Sequence, residues 1–337
     1  MRLIGRSLLA ASLLLLGLTV WCFATLPDHF AAFTLLPIWM WGGGGLLLSL
    51  LGCYILRGRW SWLMSAAWAL TLLGGADEAS VLGHLGTAPP LPGPAAPSNG
   101  KAVIRVITMN CAIFALGDPL PDLAAWAPDI VLLQDAYPDR VRRIAEALYG
   151  GTGSSCANVS NGIVTRWKIQ RDVPHPTARD QQATIVLPDG SAVEVVNVHL
   201  ASAATDLRFW RRATWCDHRI NRALRLQELA TVEQVLARTS GFPNAPTLFG
   251  GDFNSAASDI VHRQLARDFV DAFTAAGTGW GDTYHRRLPI LRIDHLYATR
   301  HFTPVRCHTV TTRHSDHRMV VADFVLNQEP GLIPRNR

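Results

Sequence analysis

Residues Ser7 to Leu26 form an unbroken apolar run, about the 20 residues a helix needs to cross the hydrocarbon of a bilayer. A second run, Phe33 to Leu56, is interrupted only by Pro37 and by the glycines Gly42–Gly45, both tolerated within membrane helices whose neighbours repair the backbone hydrogen bonding. A third run, Trp60 to Ala76, is shorter and ends at Asp77 and Glu78. Hydrophobic residues make up 49% of the 337-residue chain, and they crowd into its first quarter. Residues 1–80 are therefore predicted to be a membrane anchor of three transmembrane helices. Gly42–Gly45 is expected to serve close helix packing, since it lacks the Lys-Ser/Thr that completes a phosphate-binding loop.

Arg2 and Arg6 precede the first run, and Arg57 and Arg59 separate the second from the third, whereas Pro27–Phe30 carries an acid and no Lys or Arg. The positive-inside rule then puts the N-terminus and the Arg57–Arg59 loop in the cytoplasm. With three spans, everything after residue 80 is extracytoplasmic, at a plasma or inner membrane. A cleaved signal peptide is the simpler account of the first run alone, and the second run following so closely disfavours it. Residues 81–100 are rich in Pro and Gly, with five prolines from Pro89 to Pro97, and such density predicts a semi-rigid extended linker. A globular domain over 101–326 and a tail over 327–337 complete the expected organisation.

From Lys101 onward the composition is that of a globular domain, and short β-like runs alternate with helical ones. Val103–Met109, Ile130–Gln134, Ile163–Thr165, Ala183–Leu187, Val193–His199, Thr247–Phe249, Ile290–Tyr297 and Met319–Val325 read as strands. Pro188-Asp189-Gly190 reads as a tight hairpin turn. Helical periodicity is clearest over Asp217–Arg238, and weaker over Arg140–Leu148 and Asp259–Ala266. The six cysteines include no Cys-x-x-Cys pair, which argues against a zinc ribbon or a thioredoxin-type site. Net charge is +5, a balance that suits an anionic substrate or surface.

Strand after strand delivers a polar group to its last residue or the turn beyond: Asn110, Asp135, His199, Asp252 with Asn254, Asp294 with His295, and Asp316 with His317. Singly, an Asn or Asp closing a strand is a turn former, and a lone His is a structural group. Together they are the residue types that hard metals and phosphate chemistry use.

These segments resemble, in order, the signature motifs of the endonuclease/exonuclease/phosphatase superfamily, with Gly251-Asp252-Phe253-Asn254 and Ser315-Asp316-His317 the most distinctive. The resemblance implies an α/β fold, a four-layered sandwich of two mainly antiparallel sheets flanked by helices, with the site at one rim. It implies a metal site of Asn110, Asp135 and Asp316 for Mg²⁺, with Mn²⁺ as a substitute. It further implies that Asp252 orients or deprotonates the attacking water, that Asn254 and His199 contact the phosphate, and that Asp294 orients His317. The family normally carries Glu where this chain has Asp135, so altered metal affinity is expected there. His295, by alternation, faces away from the site, and Asn161–Arg166 is assigned to the core.

Thr214-Trp-Cys-Asp-His-Arg219 is similar to an inositol 5-phosphatase signature, but it precedes Asp252, and Asp294 already fills the post that signature supplies. The same stretch interleaves Arg208, Arg211, Arg212, Arg219, Arg222 and Arg225 with Phe209, Trp210 and Trp215. Arg208, Arg211, Arg212 and Trp215 are therefore candidate substrate contacts, suited to gripping a nucleic-acid backbone and stacking on bases, or to resting on anionic headgroups. A solvated helix face with buried tryptophans is the bland alternative. Three functions follow: a nuclease-like phosphodiesterase, a phospholipase-C- or sphingomyelinase-like lipid phosphodiesterase, and a catalytically silent binding module on a membrane scaffold. The partners implied are a phosphodiester substrate and, through the N-terminal helices, the lipid bilayer.

Overall fold

The structure is a computed structural model that describes residues 1–57, 61–177, 179–202 and 208–327. Arg59, Trp60 at the start of the expected third run, and residues 328–337 of the expected tail lie outside the described residues. Three helices lead: α1 (Arg2–Thr25), α3 (Ile38–Leu56) and α4 (Ser61–Gly75), with a short α2 (Ala31–Leu35) before Pro37. Pro37 thus divides the second apolar run, as expected where a residue before proline is pushed out of the helical region. α1 and α3 are long and apolar enough to cross a membrane. α4, at 15 residues, is shorter than the expected third span. The helices run antiparallel: Ser12 Oγ on α1 donates to the carbonyl of Gly45 on α3 and accepts from Trp68 Nε1 on α4 (both 2.9 Å). Gly42 and Gly45 sit under Leu72 and Trp68 at distances no side chain would permit, while Gly43 and Gly44 face open space.

The rest of the chain supplies strands β1 (Ile104–Asn110), β2 (Ile130–Gln134), β3 (Ser154–Ala157), β4 (Asn161–Thr165), β5 (Lys168–Val173), β6 (Asp180–Val186) and β7 (Ala192–His199). β8 (Thr247–Asp252), β9 (Phe269–Asp271), β10 (Gly277–Thr278), β11 (Asp294–Thr299), β12 (Phe302–Thr311) and β13 (Arg318–Leu326) follow. Interspersed helices are α5 (Leu120–Ala124), α6 (Pro138–Tyr149), α7 (Arg212–Ser240), α8 (Ile260–Leu265) and α9 (Ala272–Ala276). One sheet has the order β10-β12-β13-β1-β2-β4-β3, the other β5-β6-β7-β8-β11-β9. Pairing is mostly antiparallel, with parallel ladders at β1·β2, β7·β8 and β10·β12.

Three apolar layers make this a four-layered sandwich. Ile104, Val106, Leu132, Val195, Leu248, Leu296 and Phe324 fill the space between the sheets. Ile107, Met109 and Val131 point the other way, onto Leu123 of α5 and Val141 and Ile144 of α6. Val196, Val198 and Phe249 face Leu229 and Val232 of α7 and Val261 of α8. Alternation along each strand assigns the faces.

Residues of the expected linker contact the globular domain. Gly93 N donates to Ala125 O (2.7 Å), and the carbonyls of Leu91 and Gly93 accept from Arg105 Nη1 (2.8 and 2.6 Å). Arg306 donates to the Ala96 carbonyl. Arg105, itself 1% exposed, is held by a bidentate pair with the fully buried Asp323 (2.7 and 3.0 Å). Proline-rich chain thus lies along the first sheet, its carbonyls accepting from the buried Arg105 and the half-buried Arg306.

β8 approaches β7 so closely at its end that a Cβ on Gly251 would lie 2.0 Å from Val198 O, and φ there is +138°. Only glycine allows both. Gly251→Ala is expected to destabilise the domain by about 2–4 kcal/mol, measured by denaturant unfolding with Gly43→Ala, which meets nothing, as the neutral comparison.

Candidate active site

The alternation that sends Ile104 and Val106 into the inter-sheet core also sends Asn110 there, at the end of β1. The same parity in the second sheet carries His199 on β7, Asp252 on β8 and Asp294 on β11. The register sets Asp252 opposite both His199 and Asp294. Four strand ends from two sheets therefore meet at one rim. The far end of the chain is tied in by Ser315, whose Oγ donates to Asn110 O (2.6 Å) and accepts from His317 N (3.0 Å).

Asp252 is the centre. It is 1% exposed; Asn110 Nδ2 donates to its Oδ2 (3.0 Å) and Asn254 N to its Oδ1 (2.9 Å). His199 Nε2 lies 3.6 Å and His317 Nε2 4.0 Å from Oδ2. On its other edge, His317 Nδ1 donates to Asp294 Oδ2 (2.9 Å). Burial alone would lower the pKa of His317, but the charges of Asp294, Asp252 and Asp316 outweigh it and raise the pKa to about 10. Asp294, buried, is pushed up by desolvation, and the charge of His317 opposes that rise.

Asn110, His199, Asp252, Asn254, Asp316 and His317 line one cleft of roughly 200 Å³, with Ser202, Tyr284, Leu291 and Ile293 completing it. Asp135, at φ 50° just past β2, reaches His199 Nδ1 at 3.4 Å. It stands behind that imidazole. Asn254 donates its Nδ2 to Leu200 O (3.0 Å), so its amide nitrogen is engaged. His295 is buried on the opposite face, donating through Nε2 to Arg292 O (2.9 Å) with Nδ1 3.1 Å from Asp271.

Among the described residues, Arg208, Arg211, Arg212 and Trp215 do not line the cleft. Arg211 and Arg212 are exposed. Trp215 meets Phe30 of the N-terminal module edge-on at 5.9 Å and donates Nε1 to Phe209 O (2.8 Å). Arg222 is fully buried and donates to Leu26 O, Thr34 Oγ1 and Asp259.

Sequence reasoning missed Tyr284, whose ring centre is 5.0 Å from that of His317 and whose phenol is pushed up by burial and by Asp316 and Asp252. It sits in an irregular loop with no periodicity to mark it. Thr283 was also missed; its Oγ1 accepts from the backbone N–H groups of Ile293 and Asp294 (both 3.2 Å).

The donor set is rich in carboxylate oxygen. Asp252, Asp294 and His317 offer ligand atoms within 4.8 Å of one another, and the buried Asp294 Oδ1 has no hydrogen-bond partner. Oxygen donors of this kind fit a hard divalent cation.

Residues 109–317 match the Endonuclease/Exonuclease/phosphatase family, and the chain belongs to it. No curated protein sequence matches the chain. Among solved structures, an endonuclease/exonuclease/phosphatase family protein from Bacteroides thetaiotaomicron is similar, with TM-score 0.56 at 14% identity over 70% of this chain and 100% of its own. A mannosyl-6-phosphatase from the same organism gives TM-score 0.54 at 15% identity, over 66% of this chain and 100% of its own. The human Nocturnin catalytic domain with bound sulfate gives 0.52 at 17%, over 67% of this chain and 94% of its own. Members of this family are hydrolases, and that is the class in which this chain falls.

Asp294→Asn removes the largest upward influence on His317. The imidazole should then lose its proton about one to three pH units lower, read by NMR titration. Because the folded pKa is raised, the stability gained from the charged pair is present below about pH 6.5 and lost as pH rises towards about 10. The unfolding free-energy difference between wild type and Asp294→Asn should shrink across that window.

Proposed function

We propose that this chain is a membrane-anchored, divalent-cation-dependent phosphodiesterase, nuclease-like in its chemistry, with its catalytic domain outside the cytoplasm. The observation that carries the reading is the gathering of Asn110, His199, Asp316 and His317 around the buried Asp252 carboxylate in a single cleft.

Asn110 and Asp316, which line the cleft, would hold the cation, Mg²⁺ or in its place Mn²⁺, while Asp135, on the Nδ1 side of His199, would act on it through that imidazole or through water. Once bound, it would neutralise charge on the phosphate oxygens. Asp252 would orient a water for attack and accept its proton. His317, kept protonated by Asp294, would donate to a non-bridging or leaving oxygen as charge develops. His199, with Nδ1 turned to Asp135 (3.4 Å) and Nε2 toward Asp252 (3.6 Å), would donate from Nε2 to a phosphate oxygen, and rotation of Asn254 away from Leu200 O would add a second donor.

Lipid headgroup diesters are a second reading. It is favoured by the apolar wall of the cleft, where Leu291 and Ile293 pack on Leu35 of the N-terminal module. For nucleic acid, Arg208 and Arg211 ahead of α7 and Arg212 and Arg219 on it are exposed, whereas Arg222 and Arg225 are buried.

The full chain in detergent should hydrolyse bis-p-nitrophenyl phosphate with Mg²⁺ and stop with chelator, and His317→Ala should lower kcat by at least about a hundredfold. No chelator-sensitive turnover in wild type, with equal rates for His317→Ala, would point to a silent binding module. Competition by single-stranded DNA against phospholipid vesicles separates the two substrate classes. For topology, Cys216 is the exposed free thiol among otherwise buried cysteines. A membrane-impermeant maleimide should label it from outside sealed, right-side-out vesicles, with Cys216→Ser abolishing the signal; labelling only after lysis would place the domain in the cytoplasm.

A further inference from the structure

The cleft wall opposite Asp252 is the loop from Thr283 to Asp294, and this loop is clamped between the catalytic dyad and the N-terminal helices. On its inner side, Thr283 Oγ1 accepts from Ile293 N and Asp294 N, Thr283 N donates to Leu291 O (2.9 Å), and Arg318 N, one residue past His317, donates to Thr283 O (2.8 Å). Any shift of Thr283 or Ile293 therefore moves both members of the Asp294–His317 pair.

On its outer side, the same loop rests on the N-terminal module at three points. Leu35 (4% exposed) is buried in one cluster with Leu291 and Ile293, against Tyr284 and Ile290. Asp77 forms a two-pronged ion pair with Arg292 (2.6 and 2.9 Å), and Arg292 in turn holds Asp271 (2.8 and 3.0 Å). Trp39 meets Trp280 edge-on at 5.9 Å, and Trp280 Nε1 donates to Pro289 O (3.0 Å). From the opposite flank, Arg222 and Arg263 of the catalytic domain donate to the last carbonyls of α1, those of Phe23, Ala24 and Leu26. Those carbonyls have no partner within the helix.

We infer that Leu35 and Asp77 are positioning residues for the catalytic dyad, so that the N-terminal helices form the outer wall of the active site and set the placement of Asp294. Neither residue lines the cleft; each acts through the residue beside it, Leu35 on Ile293 and Asp77 on Arg292. This rests on the hydrolase reading only for its kinetic arm.

The test uses the full chain in detergent, with Leu35→Ala and Asp77→Asn, conservative Leu35→Met and Asp77→Glu, and Phe33→Ala as comparison. Phe33 is equally buried in α2 but stacks on Trp41 at 4.0 Å, away from the loop. Leu35→Ala and Asp77→Asn should lower kcat about tenfold or more, as small misplacements of reacting groups do, with KM held within about twofold. They should also speed amide hydrogen exchange over 283–294, and the conservative pair should restore both. Phe33→Ala should lower the melting temperature without either effect. Unchanged kcat and exchange in Leu35→Ala and Asp77→Asn, or matching losses in Phe33→Ala, would overturn the inference. If wild type hydrolyses no diester, the hydrolase reading fails, while the exchange comparison still decides whether the N-terminal helices hold the loop.

Discussion

Asn110 Nδ2, the Asn254 backbone N–H, and the imidazoles of His199 and His317 are all directed at the carboxylate of Asp252. A carboxylate that is 1% exposed is tolerable in a protein only when its lost hydration is replaced, and these groups come from both sheets and from the last loop before β13. Satisfying Asp252 therefore requires the two sheets to pack with their strand ends level. The register that sets Asp252 across from Asp294 on one side and His199 on the other is the structural form of that requirement.

Much of this was legible in the sequence. Strands such as Ile130–Gln134 are short apolar runs bounded by polar residues, and each delivers its terminal group by simple alternation. What escaped were elements whose residues are not sorted by burial. β12 carries Pro304 and a bulge before Arg306 and is only half-buried along much of its length, so it shows no clean period of two. β5 is an edge strand with mostly exposed side chains. Tyr284 and Thr283 belong to a loop, where position is set by tertiary contacts and no pattern in the chain records it.

The arginine-rich start of α7 teaches the converse. Its spacing suggests a basic face for an anionic ligand, but Arg222 turns inward to Leu26 O, Thr34 and Asp259. A helix C-terminus abutting another domain leaves carbonyls that need donors, and a guanidinium with five N–H groups is well suited to supply them. Charge composition cannot separate that structural use from substrate binding, because both call for the same residue.

The position of the cleft follows from how the inter-sheet layer changes along its length. At one end it is wholly apolar, with Ile104, Val193 and Phe324. Further along the same strands it becomes polar but sealed: Gln134 Nε2 donates to Asn197 Oδ1 (2.6 Å) and to Thr108 Oγ1 (3.0 Å), and Asn197 Nδ2 reaches Leu133 O and Gly162 O (both 2.9 Å). Gln134 and Asn197 thus join the two sheets while leaving their amide groups satisfied. One residue pair later come Asn110, His199, Asp252 and Asp294, where the groups outnumber their partners and Asp294 Oδ1 and His199 Nδ1 are left without a hydrogen bond. A layer that ran apolar to its end would have closed, and one that turned polar earlier would have let water between the sheets. The amide belt of Gln134 and Asn197 lets a dry core and a charged rim share the same strands.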